Sequence, residues 1–521
     1  MLNRADNGGL LGHGRRGWVL GAALVVLLAG ALVLAMQVTR PASSSPGDRA
    51  GSEEALRGSE EIDGAFAARR SGSSAEFASG GEAPGPVADG ASGDRSLVAD
   101  PSGRDAGSGG AFGAAENGAD EILAEPLPPL GEDEFPPEAA PRVPKPAAVK
   151  GLYINAWTAG SSRRMEQLFD LADRTEINTF VIDVKDATGY VSYRTGVARA
   201  KQLGADREIR IRDVRALLAR LREHGIYPIA RIVVFKDPLA AARNPAWSIQ
   251  KEDGSLWRDH NGELWVDPYN REIWDYHIAL AREAVLLGFS EVQWDYVRFP
   301  DVPERYMRTA VYPAQGGRSR SQGIREFLQY SREQLADLGV PVTADVFGLT
   351  VSVRNDMGIG QHWEDMVDAT DVLLPMVYPS HFARGSYGIP VPNADPYQTV
   401  KKAMEYAVRR TEGIEGAAAI RPWLQDFTLG WPRYGAAEVR AQIQATYDAG
   451  LSEWVLWNPS SRYTAEALAP KDGPAPSLPI PVHTRPVEVK LPEPKVELLG
   501  VPAPAAPIAP VPVRPDSAGR R

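Results

Sequence analysis

The chain contains no cysteine among its 521 residues. Disulfides and thiolate metal sites are excluded, so whatever folds must be held by an apolar core. Histidine is sparse, at seven, and no two stand at a spacing such as H-E-x-x-H. No metal is therefore expected. A glycine-rich phosphate loop is also missing: Asn155-Ala-Trp-Thr-Ala-Gly160 follows the first strand-like run without G-x-G-x-x-G. A dinucleotide fold loses support, and no cofactor is expected. Basic clusters are lacking too, which argues against a nucleic-acid partner. The net charge is −10, but residues 41–147 alone carry 20 acidic against 8 basic groups. The acidity belongs to that stretch and says nothing of a ligand of the rest.

Long hydrophobic runs are absent save one. Residues 17–36 hold no charge and are rich in Leu, Val and Ala, with Arg15 and Arg16 just before them. The run is long enough to cross a bilayer, and the flanking arginines favour a cytoplasmic amino terminus. The expectation is a short cytoplasmic segment 1–16 and a signal-anchor 17–39, which places the remainder outside the membrane as a single-pass protein. Secretion after signal cleavage is the rival reading, although the small-residue match Ala29-Gly-Ala31 lies inside the apolar run. Residues 40–147, dominated by Gly, Ala, Ser, Pro and acidic groups, read as a disordered spacer. Residues 470–521 read as a proline-rich tail.

Residues 148–469 have a different texture. Short β-branched or aromatic runs occur at Gly151–Trp157, Thr179–Lys185, Tyr227–Phe235, Glu291–Phe299, Val340–Phe347, Asp371–Tyr378, Ala418–Phe427 and Glu453–Asn458. Amphipathic stretches of helical period separate them, the eighth being the weakest. Eight alternations of strand and helix predict an α/β fold, a (β/α)8 TIM barrel, rather than an open doubly wound sheet. Two connections are long. Residues 236–270 carry the turn pairs Asp253-Gly254 and Asn261-Gly262, and residues 301–320 are rich in Arg and Gly.

In such a barrel the chemistry sits where strands end. Period-two reading brings Asn155 and Trp157 to the mouth from the first strand, Asp183 and Lys185 from the second, and Arg231 from the third. The fourth offers Gln293 and Asp295, followed by Tyr296 and Arg298. Asp345 stands on the fifth, Tyr378 ends the sixth, Trp423 and Gln425 the seventh, and Trp457 the eighth. Interior charges need partners. Asp183 or Asp186 would be neutralised by Arg231 or Lys185, whereas Asp295 and Asp345 on neighbouring strands suit two carboxylates flanking one reacting bond. The aromatic rings near strand ends suit the C–H faces of sugars.

Several segments together resemble the bacterial family of (β/α)8 glycoside hydrolase domains long carried as a domain of unknown function. They are Gly151-Leu-Tyr-Ile-Asn-Ala-Trp157, Phe180-Val-Ile-Asp-Val-Lys-Asp186, Trp265-Val-Asp-Pro-Tyr-Asn270, Glu291-Val-Gln-Trp-Asp-Tyr-Val-Arg-Phe-Pro300, Ala344-Asp-Val-Phe-Gly348 and Met376-Val-Tyr-Pro379. The family is similar, more distantly, to α-amylase-like barrels. That resemblance implies Asp295 as nucleophile and Asp345 as acid/base, although the fifth-strand acid of the amylase-like group is usually Glu. The expected activity is retaining hydrolysis of an extracytoplasmic polysaccharide. A non-catalytic glycan-binding barrel and an envelope-assembly scaffold are the alternatives. Oligomeric state leaves no mark on the sequence.

Overall fold

The computed structural model describes residues 127–484. The expected membrane segment 17–39, the spacer up to residue 126 and the tail beyond residue 484 lie outside the described residues. Among the described residues, no helix is long and apolar enough to cross a membrane.

Nine strands form one parallel sheet that closes on itself. They are β1 (Lys150–Ile154), β2 (Thr179–Lys185), β3 (Tyr227–Val233), β4 (Glu291–Asp295), β5 (Val342–Phe347), β6 (Val372–Met376), β7 (Ala419–Ile420), β8 (Trp423–Gln425) and β9 (Trp454–Trp457). Each pairs with its neighbour in parallel, β1 pairs with β9, and β5 with β6, so no edge remains. The short β7 and β8 are two pieces of one stave. Pro422 between them has no N–H to give, and the ladder breaks there. Eight staves therefore make the barrel.

The helices that cover it are α1 (Ser162–Arg174), α2 (Val214–Glu223), α3 (Arg271–Leu287), α4 (Arg320–Gln334), α5 (Pro396–Thr411) and α6 (Ala436–Asp448). Each buries one apolar stripe, such as Met165, Leu168, Phe169 and Ala172 of α1, against the outer face of the sheet. The β5–β6 connection has only the 3-10 turn Gly348–Val351 and the four-residue helix Trp363–Met366, and after β9 only the 3-10 turn Ala465–Ala467 remains. The periodicity is weakest at those two places.

A smaller cluster fills the barrel, with Val149, Tyr153, Val181, Tyr227, Ile229, Leu374, Trp423 and Val455 among its members. Its floor is ionic. The fully buried Arg421 donates to Glu291 at 2.6 Å and to Glu453 at 2.8 Å. The long β3–α3 connection folds into the two expected hairpins. Gln250 pairs with Leu256 and Arg258 with Leu264, and Gly254 and Gly262 adopt the left-handed φ values of 79° and 80°.

The barrel domain extends beyond the range suggested by composition. Residues 127–147, with the texture of spacer, lie along the barrel as a strap. Gln202 donates to the Pro128 carbonyl at 2.7 Å, Glu134 N–H to Gly196 at 2.9 Å and Ala140 N–H to Leu286 at 2.9 Å. Ser290 then donates to the Val143 carbonyl at 2.8 Å, and Lys145 pairs with Glu453 at 3.3 Å beneath the floor. Composition cannot see such an ordering, because the strap is held by scattered backbone hydrogen bonds and by three isolated apolar contacts, Leu127, Phe135 and Val143, with no period to mark them.

Candidate active site

The strand ends converge on Arg231 of β3. Its Nη1 binds Asp183 and its Nη2 binds Asp295, while its Nε lies 3.0 Å from the same Asp295 oxygen, Oδ2. Asp183 also accepts the Tyr153 hydroxyl at 2.6 Å. The Nε of Arg231 is 4.0 Å from Oδ2 of Asp345. The two oxygens around that shared nitrogen are thus no more than about 7 Å apart, an upper limit that admits the roughly 5–5.5 Å separation of retaining carboxyl pairs.

Their environments differ. Asp295 has one oxygen in the guanidinium fork, and the other, Oδ1, accepts the N–H of Tyr296 at 2.6 Å. Tyr296 has a φ of 52°, which turns that N–H back onto the carboxylate and ends the strand. Asp345 is 1 % exposed. Its Oδ1 accepts Trp423 Nε1 at 2.6 Å and Gln293 Nε2 at 2.9 Å, and Nε2 is also 3.0 Å from Oδ2. Burial first, and then the charge of Asp295, hold the Asp345 carboxyl well above the usual carboxylate range, against the pull of Arg231 and the two donors. With Oδ1 already engaged by two donors, the proton belongs on Oδ2, the oxygen on the side of Arg231. Tyr378 is buried beside the pair, and burial together with the charges of Asp345 and Asp295 keeps its phenol protonated. Trp457 stacks on Tyr153 with ring centroids 3.9 Å apart, and Arg231 lies 5.4 Å from each ring.

A stability consequence follows from Asp345. The native carboxyl holds its proton more tightly than an unfolded Asp of pKa about 3.9. Its contribution is present below that value and is lost as pH rises toward the raised native pKa. Asp345→Asn, neutral throughout, is expected to melt a few degrees higher than the parent at pH 7. That advantage should vanish near pH 3, as thermal scans at the two pH values will show. A neutral amide also lets Gln293 turn its carbonyl toward it.

Asp183, Arg231, Gln293, Asp295, Asp345, Tyr378, Trp423 and Trp457 are thus brought together, but several expected roles change. Trp423 has its Nε1–H on Asp345 and its ring edge-on to Tyr153 and Trp457. Gln293 is fully buried and donates to Asp345. Lys185 leaves the site. An irregularity in the ladder between Asp183 and Lys185 slips the register by one residue, and Lys185 turns outward to Asp237 at 2.9 Å and the Val233 carbonyl at 2.7 Å. Asn155 is also withdrawn. β1 ends at Ile154, and Asn155 caps the turn Ala156–Ala159 through Thr158 N–H while donating to Pro459. Gln425 ties loops together through Ser380 N–H and the Phe427 carbonyl.

The remaining three are Trp157, Tyr296 and Arg298, of which only Trp157 is exposed. Trp157 is 63 % exposed, with the Arg210 guanidinium 5.4 Å from its ring. Arg298 lies among the rings of Trp265, Tyr296 and Phe347, at 5.3, 4.8 and 4.7 Å, so the cation paired with Asp295 is Arg231. Asp183 does pair with Arg231, while Asp186 binds Arg210 at 2.8 Å. Tyr153 was not anticipated, yet it shares the parity of Asn155 on the same strand. Among the described residues, no group of His, Asp and Glu is arranged to hold a metal ion.

Residues 151–463 match the model of a protein family described as "Putative glycosyl hydrolase domain". The chain belongs to this family. A hypothetical protein of Ruminiclostridium thermocellum is 37 % identical over 40 % of this chain and 98 % of its own, with a TM-score of 0.35. The glycoside hydrolase domain of PgaB from Bordetella bronchiseptica is 12 % identical over 62 % of this chain and 99 % of its own, with a TM-score of 0.44. An exo-β-N-acetylglucosaminidase of Vibrio harveyi is 14 % identical over 62 % of this chain and 54 % of its own, with a TM-score of 0.41. No curated protein matches the chain. In this glycosyl hydrolase family member, the family match spans β1 to β9 and includes both Asp295 and Asp345.

Proposed function

We propose that the barrel is a retaining glycosidase acting on an extracytoplasmic polysaccharide. One observation carries this reading: Asp295 and Asp345 flank one guanidinium, and burial together with the charge of Asp295 keeps the Asp345 carboxyl in its acid form. Asp295, in the fork of Arg231, is the nucleophile. Its Oδ1 keeps a lone pair beyond the bond from Tyr296 and forms a new bond to the anomeric carbon as the glycosidic C–O bond breaks. The Oδ2 proton of Asp345 passes to the departing oxygen. Asp345, now a carboxylate, takes a proton from water as that water attacks the anomeric carbon, and Asp295 is released. Tyr378 and Trp457 border the reacting sugar, and Asp183 holds Arg231 from the side away from it. Trp157, with Tyr296 and Arg298 across the mouth, meets neighbouring sugars of the chain.

The apolar segment 17–39 would anchor the protein, and the acidic spacer would carry the domain away from the membrane toward its polymer. The test is a panel of polysaccharides including peptidoglycan and α-glucans, with the first product anomer read by proton NMR. Retained configuration at the outset is the expected result. Inverted product would remove Asp295 as nucleophile. Binding without cleavage would leave a glycan-binding barrel.

A further inference from the structure

Gln293 is fully buried on β4, two residues before Asp295. Its amide nitrogen straddles the Asp345 carboxyl, 2.9 Å from one oxygen and 3.0 Å from the other. Its Oε1 has no hydrogen-bond partner among the described residues. A buried orphan acceptor is unfavourable, and the side chain tolerates it to keep both N–H···O approaches on Asp345. An amide that donates to both oxygens matches the ionised carboxylate, not the acid. Yet every other influence of burial and like charge favours the acid. The groups facing Asp345 are Asp295 on β4, Arg231 on β3 with Asp183 behind it, Trp423 on β8 and Tyr378 after β6. Of these, Trp423 and Arg231 are already bonded to Asp345 or committed to other carboxylates.

We propose that Gln293 is a positioning residue that stabilises the conjugate base of Asp345, holding it ready to take the proton of the attacking water. The proposal rests on the hydrolase reading for its place in the cycle. It explains why a residue of the same inward parity as the nucleophile makes no use of its carbonyl. It also implies an asymmetry. Losing Gln293 raises the proton affinity of Asp345, so the acid form that serves the first step persists to higher pH. The carboxylate that must take the water's proton in the second step is less populated, and below the raised titration point the second half-reaction suffers more than the first.

The test is Gln293→Met, similar in length and without a donor. The alkaline limb of kcat/KM is expected to move up by about one pH unit. With an activated aryl glycoside, kcat should fall about tenfold and a burst of aglycone should appear as the glycosyl-enzyme accumulates. A purely structural role would lower the rate without moving the limb. Should the methionine variant fail to fold, Gln293→Glu puts a charge in place of the donor and should shift the limb further in the same direction. An unmoved or downward limb in a folded variant overturns the proposal. Carbon-13 NMR titration of the Asp345 carboxyl, in parent and variant, needs no turnover. A higher titration point in the variant supports the role of Gln293 and an unchanged one refutes it, whereas failure of the parent to cleave any glycan refutes only the hydrolase reading.

Discussion

Asp295→Asn is expected to lower kcat by about 10³-fold or more while sugar binding survives. An amide keeps the shape of the carboxylate and can still accept Tyr296 N–H, but it cannot form the glycosyl ester. The result is read by comparing turnover with binding of an oligosaccharide to the variant by calorimetry. Unchanged turnover would remove Asp295 from the chemistry. The smaller Asp295→Ala makes the assignment sharper. Azide placed in the space left by the carboxylate should restore activity on an activated glycoside and yield a glycosyl azide of inverted configuration, because azide attacks from the nucleophile's side. The same experiment on Asp345→Ala should give a retained azide, formed in the second step in place of water. The two stereochemical outcomes separate nucleophile from acid/base without reference to rate.

Removal of Arg231 should have the largest effect on stability. Its guanidinium joins Asp183 and Asp295 and is itself almost fully buried. Arg231→Met would leave two interior carboxylates without their cation, which costs about 3–5 kcal/mol when a buried pair is broken from one side. Urea unfolding should report that loss at pH 7. Buried carboxylates without a counter-charge take up protons, so the loss should shrink in acid, and activity should fall with it for want of an ionised nucleophile. Arg231→Lys retains the charge but lacks the fork that reaches both carboxylates at once, and it should lie between the two. Equal stability of parent and methionine variant would mean that the three groups do not act as one network.

Much of this fold is legible in the residues themselves. Each of the eight expected runs overlaps a strand, and Thr179–Lys185 matches β2 end to end. α3 and α5 fall in amphipathic stretches between the strand runs, because a buried stripe of period 3.6 leaves a strong trace. The pairing of Asp295 with Asp345 across neighbouring staves follows from period two alone, and the ladder does place Gln293 beside Thr343, two residues below each. What escaped was local. The expected runs overshoot β1, β3, β4, β6 and β8 by two to four residues, since β-branched or aromatic residues continue past the last ladder bond. That excess is why Asn155 seemed to face the mouth when it caps a turn. A single ladder irregularity reversed Lys185, and a slip of one residue has no compositional signature. The choice of Arg231 over Lys185 and Arg298 as the cation of Asp295 depends on which side chain reaches inward, and pattern ranks all three alike.

The strap moves the practical beginning of the domain. A backbone already engaged in hydrogen bonds cannot thread into a protease cleft, so the strap from Pro128 to Val143, which begins about twenty positions ahead of β1, should resist cleavage. Expression clones that start immediately before Lys150 would discard a splint, and the side chains of Ser290, Gln202 and Glu453 would be left searching for the partners it supplied.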